Sequence, residues 1–338
     1  GLIKREVGEA NALLAGVWLA GTPLAEHGEM LDLLARAFEK RPANSQVLIP
    51  VAEFLGSRDE ADAVKALTAF TKLAVFRQHF AFRRSVVQAL TSVRRPEAID
   101  TLVDVMPDSD GEIVGDIAIH LTRISGEPFG NDAKGWRTWW LNKRGTFEFP
   151  EPTVAKARQI MIKDQVKYYG IPVYAKKVLF VIDTSGSMVE KNRIGNAKNE
   201  LKKTVTGLPT TTQFNVVAYN STLIPWHRAL QPVNDTTKKN VSNWINRLKA
   251  EDSTHTYDAL KTAMDQHPEA IYLLTDGKPT GGTLVNPADI LEAIKQTNKY
   301  RRTTIHVIGL DPGPPDGVFS KFLEELAAQN WGQYRRVD

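Results

Sequence analysis

The chain has 338 residues, 42% hydrophobic and 24% charged, which is enough for two domains with separate cores and is the balance of a soluble globular protein. It contains no cysteine, which excludes disulfides, thiolate metal centres and a cysteine nucleophile. The net charge of +4 is uneven: residues 1–150 carry 18 basic against 20 acidic side chains, and residues 151–338 carry 25 against 19.

The chain begins at Gly1 rather than Met, which fits a processed or trimmed chain and leaves an exported and a cytoplasmic origin both open. Its first apolar stretch, "NALLAGVWLAG", follows Glu6 and Glu9 and is too short to span a bilayer, so no membrane span is expected. From there the first half reads as helices. "EADAVKALTAFTKLAVF" places Ala63, Leu67, Phe70, Leu73 and Ala74 at helical spacing. "FRRSVVQALTSV" and "PEAIDTLVDVM" repeat the pattern, with Pro96 suited to a first helical turn. "DGEIVGDIAIHLTRISG" predicts a further helix closed by Gly126. In "EPFGNDAKGWRTWWLNKRG", Asp132 is placed to cap a helix that carries Trp136, Trp139 and Trp140 on one face. An aromatic plug against the preceding helices is the expectation there, ahead of a base-stacking surface. Short amphipathic helices in series resemble HEAT-type repeats over residues 1–148.

Prolines 150 and 152 mark residues 149–171 as a linker, with a short helix after "FPEPTVAKARQ". From 172 the rhythm changes. "VLFVID" and "AIYLLTD" are continuous apolar runs of buried-strand type. "QFNVVAYN", "TLIPWHR", "TTIHVIGL" and "GQYRRV" also read as strands. Helices are expected over 192–207, 236–249, 257–266, 287–300 and "VFSKFLEELAAQN". Alternating strands and helices predict a doubly wound α/β domain with a mostly parallel, Rossmann-like sheet over 172–338. In such sheets ligands bind beyond the carboxyl ends of the strands, at a topological switch point.

Two strands end in aspartate at that edge, Asp183 and Asp276, and "DTSGSM" adds Ser185 and Ser187. A third loop, "AEDSTHTYDAL", offers Ser253, Thr254 and Thr256. An aspartyl-phosphate enzyme needs a second acid two residues after its nucleophile, and that position is Ser185. A phosphate-binding loop needs more glycine than Gly186 alone and, for nucleotides, a Gly-Lys-Ser/Thr. A serine hydrolase needs a base, and His255 in the third loop stands in no diagnostic pattern. A plain turn explains Gly186 but not two hydroxyls behind a strand-terminal aspartate together with a second Thr-Asp-Gly edge. What remains is a set of hard oxygen donors from three loops, suited to Mg²⁺, Mn²⁺ or Ca²⁺ rather than zinc.

These motifs resemble those of von Willebrand factor A domains. "VIDTSGSM" is similar to the family's Asp-x-Ser-x-Ser signature, "STHTYDAL" to its third motif and "LLTDGKPT" to its fourth-strand segment. The resemblance covers about half the chain. It implies a metal-ion-dependent adhesion site in which Ser185, Ser187 and Thr254 are direct ligands and Asp183 and Asp276 act largely through water. Mg²⁺ is the first expectation, with Mn²⁺ and Ca²⁺ as alternatives. The third loop departs from the family pattern: Asp252-Ser253 replaces Gly-Gly, so Ser253 or Thr256 is a conceivable substitute for Thr254. Asp252 is expected to point outward; pointing inward, it would weaken the ion's pull on a partner. Asp258 falls in the first turn of the next helix and is not expected to be a ligand. "DPGPPDG" should border the same edge, with Asp311 and Asp316 only minor candidates.

The resulting expectation is a non-enzymatic interaction protein that binds a partner's acidic side chain through a divalent cation. Two alternatives follow from the architecture: an RNA-binding protein of Ro-like organisation, or an adaptor for a separate AAA+ or chelatase-type ATPase. The acidic first half argues against RNA, as does the absence of any basic block among the scattered Lys and Arg pairs of the second half.

Overall fold

The helical spacing of the first half becomes seven described helices in the computed structural model, which describes residues 48–153, 165–251, 253–276 and 278–338. "NALLAGVWLAG", the short helix expected after 159 and Asp252 lie outside those residues. The helices are α1 (Leu48–Gly56), α2 (Ala61–Phe70), α3 (Ala74–Gln78), α4 (Phe80–Ser92), α5 (Pro96–Val105), α6 (Gly111–Ser125) and α7 (Ala133–Lys143). The single helix expected through Phe76 is broken between Phe70 and Ala74, so α3 is a separate short element. The other boundaries follow local chemistry. Pro96 opens α5, and Gly126 closes α6 in the left-handed region at φ 85°. The Asp132 side chain caps α7 by accepting from the amides of Lys134 and Gly135.

One face of each helix is buried, through Leu67 and Phe70, Phe82 and Val86, Leu102, and Ile117 and Leu121. Trp136 and Trp140 are buried and Trp139 is half-buried, which is the plug arrangement. Trp136 Nε1 donates to the Gly130 carbonyl at 2.8 Å, and Trp140 Nε1 to Asp100 on α5 at 2.7 Å. A buried Arg84 donates from Nε and Nη2 to Asp116, at 2.7 and 3.0 Å, with Glu112 3.7 Å away.

The chain divides after Lys163 into two units. In the second, β1 (Lys167–Tyr168) and β2 (Ile171–Pro172) form a hairpin whose Tyr168 and Ile171 enter the unit's core. The stretch read as linker therefore ends in structure that packs with the sheet domain. The main sheet contains β3 (Lys177–Asp183), β4 (Gln213–Tyr219), β5 (Leu223–Pro225), β6 (Gln231–Pro232), β7 (Ala270–Thr275), β8 (Thr304–Leu310) and β9 (Tyr334–Val337). Its order is β5-β4-β3-β7-β8-β9, with β6 also on β4; only β5 and β6 are antiparallel.

The two-residue period of buried strands supplies two cores. Val178, Phe180 and Ile182 face α8 (Arg193–Gly207) and α9 (Asp235–Arg247), whose Leu201, Val205, Val241 and Ile245 share that core. Leu179 and Val181 face the other side, with α10 (Thr256–Met264), α11 (Pro287–Asn298) and α12 (Val318–Gln329). The chain leaves β3 toward β4 on one side and reaches β7 on the other. The switch point of this doubly wound sheet thus lies between the carboxyl ends of β3 and β7. Among the described residues no helix is long and apolar enough to cross a membrane.

Candidate metal site

Asp183 and Thr275 are the last residues of β3 and β7, and Asp276 follows directly, so the parallel pairing of these strands brings both carboxylates to the switch point. Asp183 is fully buried. One of its oxygens accepts from the Ser185 amide at 2.8 Å, the other from the Thr275 hydroxyl at 2.8 Å. Burial, the largest cause, pushes the Asp183 carboxyl up to about 6. The hydrogen bonds from Ser185 and Thr275 oppose that shift, and the nearby Asp276 charge adds to it.

The turn after β3 is fixed on three sides. The Thr184 amide donates to the Tyr219 carbonyl at 2.8 Å, the Thr184 carbonyl accepts from the Glu251 amide at 2.9 Å, and Met188 is buried as an apolar anchor. A 3₁₀ turn, Gly186–Asn192, then leads into α8. This geometry brings the hydroxyls of Ser185 and Ser187 within 3.2 Å of each other, and Ser187 Oγ donates to Asp276 Oδ1 at 2.9 Å. Asp183, Ser185, Ser187 and Asp276 therefore form one hydrogen-bonded group.

Thr254 is buried in the third loop and makes no hydrogen bond to that group. Its amide donates to Thr280 Oγ1 at 2.9 Å and its carbonyl accepts from the Thr280 amide at 3.1 Å, which ties the loop to the segment after β7. Ser253, a conceivable substitute, instead pairs with His255 Nε2 at 3.2 Å. Thr256 opens α10 with its side chain buried near the Tyr219 hydroxyl. Asp258 accepts from the Thr283 amide at 2.9 Å, in the first turn of α10 where a helix-dipole role was expected.

Asp311 was only a minor ligand candidate in the sequence. It sits just past β8 with φ 49° and is held by Lys191 and by Arg193 Nη2, the latter at 2.9 Å. Those cations keep its carboxyl below the usual range. Arg193 was not singled out from the sequence. Its Nη1 donates to Asp276 Oδ2 at 2.8 Å, and the side chain is only 12% exposed. Thr275 was likewise missed, although its place before a strand-end aspartate was a usable signal.

Among the described residues no three His, Asp or Glu side chains gather as metal ligands. What gathers is a pair of hydroxyls with two carboxylates, all hard oxygens, whose chemistry fits Mg²⁺, Mn²⁺ or Ca²⁺.

The second unit has the Rossmann-like, mostly parallel sheet of a von Willebrand factor type A domain, and the family model of that domain matches residues 176–336. Human von Willebrand factor A domain-containing protein 3B is 31% identical over 159 residues, spanning 46% of this chain and 11% of that protein. Mouse inter alpha-trypsin inhibitor, heavy chain 4, is 29% identical over 182 residues, 50% of this chain and 18% of that protein. Among solved structures, a von Willebrand factor type A protein from Catenulispora acidiphila aligns with a TM-score of 0.42 at 23% identity, covering 49% of this chain and 40% of that one. The chain thus spans less than a fifth of the length of these two curated relatives.

Proposed function

We propose that the second unit is a non-enzymatic interaction module that holds a divalent cation, Mg²⁺ first, at the β3–β7 switch point and binds an acidic side chain of a partner protein there. The observation that carries this reading is the Ser185–Ser187–Asp276 hydroxyl-carboxylate chain, with Asp183 buried behind it. In this reading Ser185 and Ser187 offer neutral oxygens, Thr254 is the third hydroxyl ligand, and Asp183 and Asp276 orient the serines and act through water. A bound cation supplies a partly neutralised positive centre whose open position a carboxylate completes.

Two further observations favour binding over catalysis or RNA recognition. Ser185 bonds to Ser187 and Ser187 to Asp276, while His255 is engaged with Ser253, so neither serine is paired with a histidine. Trp136 and Trp140 are buried in the helical unit, where they are not available for base stacking. We read the helical unit as a HEAT-like docking surface.

The test is thermal unfolding of the full chain with saturating Mg²⁺ or Mn²⁺ against chelator. The expected outcome is a rise in Tm for the wild type that is absent in Ser185→Ala and in Asp276→Ala. Identical wild-type curves with ion and with chelator would rule the site out.

A further inference from the structure

Arg193 is the first residue of α8 and points back across the switch point. Its guanidinium contacts four groups. Nη1 donates to Asp276 Oδ2 at 2.8 Å and to the Ser187 carbonyl at 3.2 Å, Nη2 donates to Asp311 Oδ2 at 2.9 Å, and Glu190 lies 3.5 Å away. Three loops, those after β3, β7 and β8, are therefore joined through one side chain. Lys191 adds a second cation on Asp311. The two oxygens of Asp276 are thus divided: Oδ1 takes the Ser187 hydroxyl and Oδ2 takes the arginine.

We propose that Arg193 is a built-in counter-cation that positions Asp276 and sets how tightly this edge holds a divalent ion. The inference rests on the cation-binding reading above. A guanidinium cannot lose its proton, so its charge is permanent, and its planar fork, bonded to Asp276 through Nη1 and to Asp311 through Nη2, holds the two carboxylates in a fixed relation. It therefore has two effects of opposite sign on a dication. It orients Asp276 favourably, and it repels the incoming charge across a mostly buried gap where solvent screening is weak.

Repulsion is the larger effect. Asp276 keeps its bond to Ser187 and its place at the end of a central strand when the arginine is removed, whereas the positive charge has no substitute. Before the ion arrives, Arg193 offsets the Asp276 charge. Afterwards it holds part of that carboxylate's charge away from the ion, which leaves the ion with more attraction for an external acid. Arg193 would thus exchange metal affinity for affinity toward the partner.

The test measures Mn²⁺ affinity by calorimetry at low ionic strength for the full chain and for Arg193→Gln, Arg193→Lys and Ser185→Ala. The expected result is at least fivefold tighter Mn²⁺ binding in Arg193→Gln, a change within twofold in Arg193→Lys, and loss of binding in Ser185→Ala. In chelator Arg193→Gln should melt several degrees below the wild type, with the gap closing in saturating Mg²⁺. A purely structural role would lower both melting temperatures equally and leave Mn²⁺ affinity unchanged, and that result would overturn the inference while leaving the cation site standing. Weaker Mn²⁺ binding in Arg193→Gln would do the same. If neither the wild type nor Arg193→Gln binds Mn²⁺, the cation reading fails and this inference fails with it. Should Arg193→Gln not fold, Asp311→Asn serves instead. It removes a negative charge from beside Arg193, so Mn²⁺ binding should weaken at least twofold; unchanged or tighter binding counts against the proposal.

Discussion

The Thr275 hydroxyl donates to Asp183 across the junction of β7 and β3, joining the ends of two central strands through a fully buried carboxylate. The expected cost of Thr275→Val, which keeps the shape and removes the donor, is about 1–3 kcal/mol, because one carboxylate oxygen loses a partner away from water. Urea unfolding checks this, and an unchanged midpoint would show that the bond contributes nothing.

Asp183 also predicts a pH dependence in chelator. Its carboxyl is raised by burial from 3.8 to about 6, so between those values the folded protein takes up a proton before the unfolded chain does. The stability tied to this group is fully present below the unfolded value and is lost as pH rises through about 6. The ion-free sheet domain should therefore lose Tm as pH rises from 4 to 6, and Asp183→Asn should flatten that slope. If Mg²⁺ binds as proposed, its stabilising increment should shrink as pH falls through the same range.

In the helical unit, Arg84 is buried against Asp116 and Glu112. Arg84→Ala leaves two acids without their cation, and a loss of about 3–5 kcal/mol is expected on chemical denaturation. The triple change Arg84→Met with Asp116→Leu and Glu112→Leu removes all three charges and should cost clearly less than Arg84→Ala alone.

Trp136 closes the same unit, packed edge-on to Phe129 and bonded to the Gly130 carbonyl. Trp136→Ala should cost about 3–5 kcal/mol, in the range for deletion of a buried indole. A shift of less than 1 kcal/mol in a denaturation experiment would place the plug elsewhere.

Much of this architecture was legible in the chain itself. Strands buried on both faces must be apolar at every position, so "VLFVID" and "AIYLLTD" identify themselves, and a parallel sheet then requires Asp183 and Asp276 to end on one edge. Helix ends were legible where one residue has a distinctive backbone role, as at Pro96, Gly126 and Asp132. The break between Phe70 and Ala74 was not, because no Gly or Pro marks it and the apolar period runs through it. Nor was the 167–172 hairpin, whose two-residue strands are too short to show alternation.

By itself, then, the sequence determined the two-part organisation, the strand ends and the hydroxyl–carboxylate character of the edge, since these depend on local periodicity and residue type. Only the tertiary structure decided that β3 lies beside β7, that Ser187 reaches Asp276, that Arg193 takes the other oxygen and that Asp311 turns to Lys191 and Arg193. The reason is physical. A long charged side chain has many rotamers of similar energy, and which carboxylate it meets depends on loops brought together only when the sheet forms.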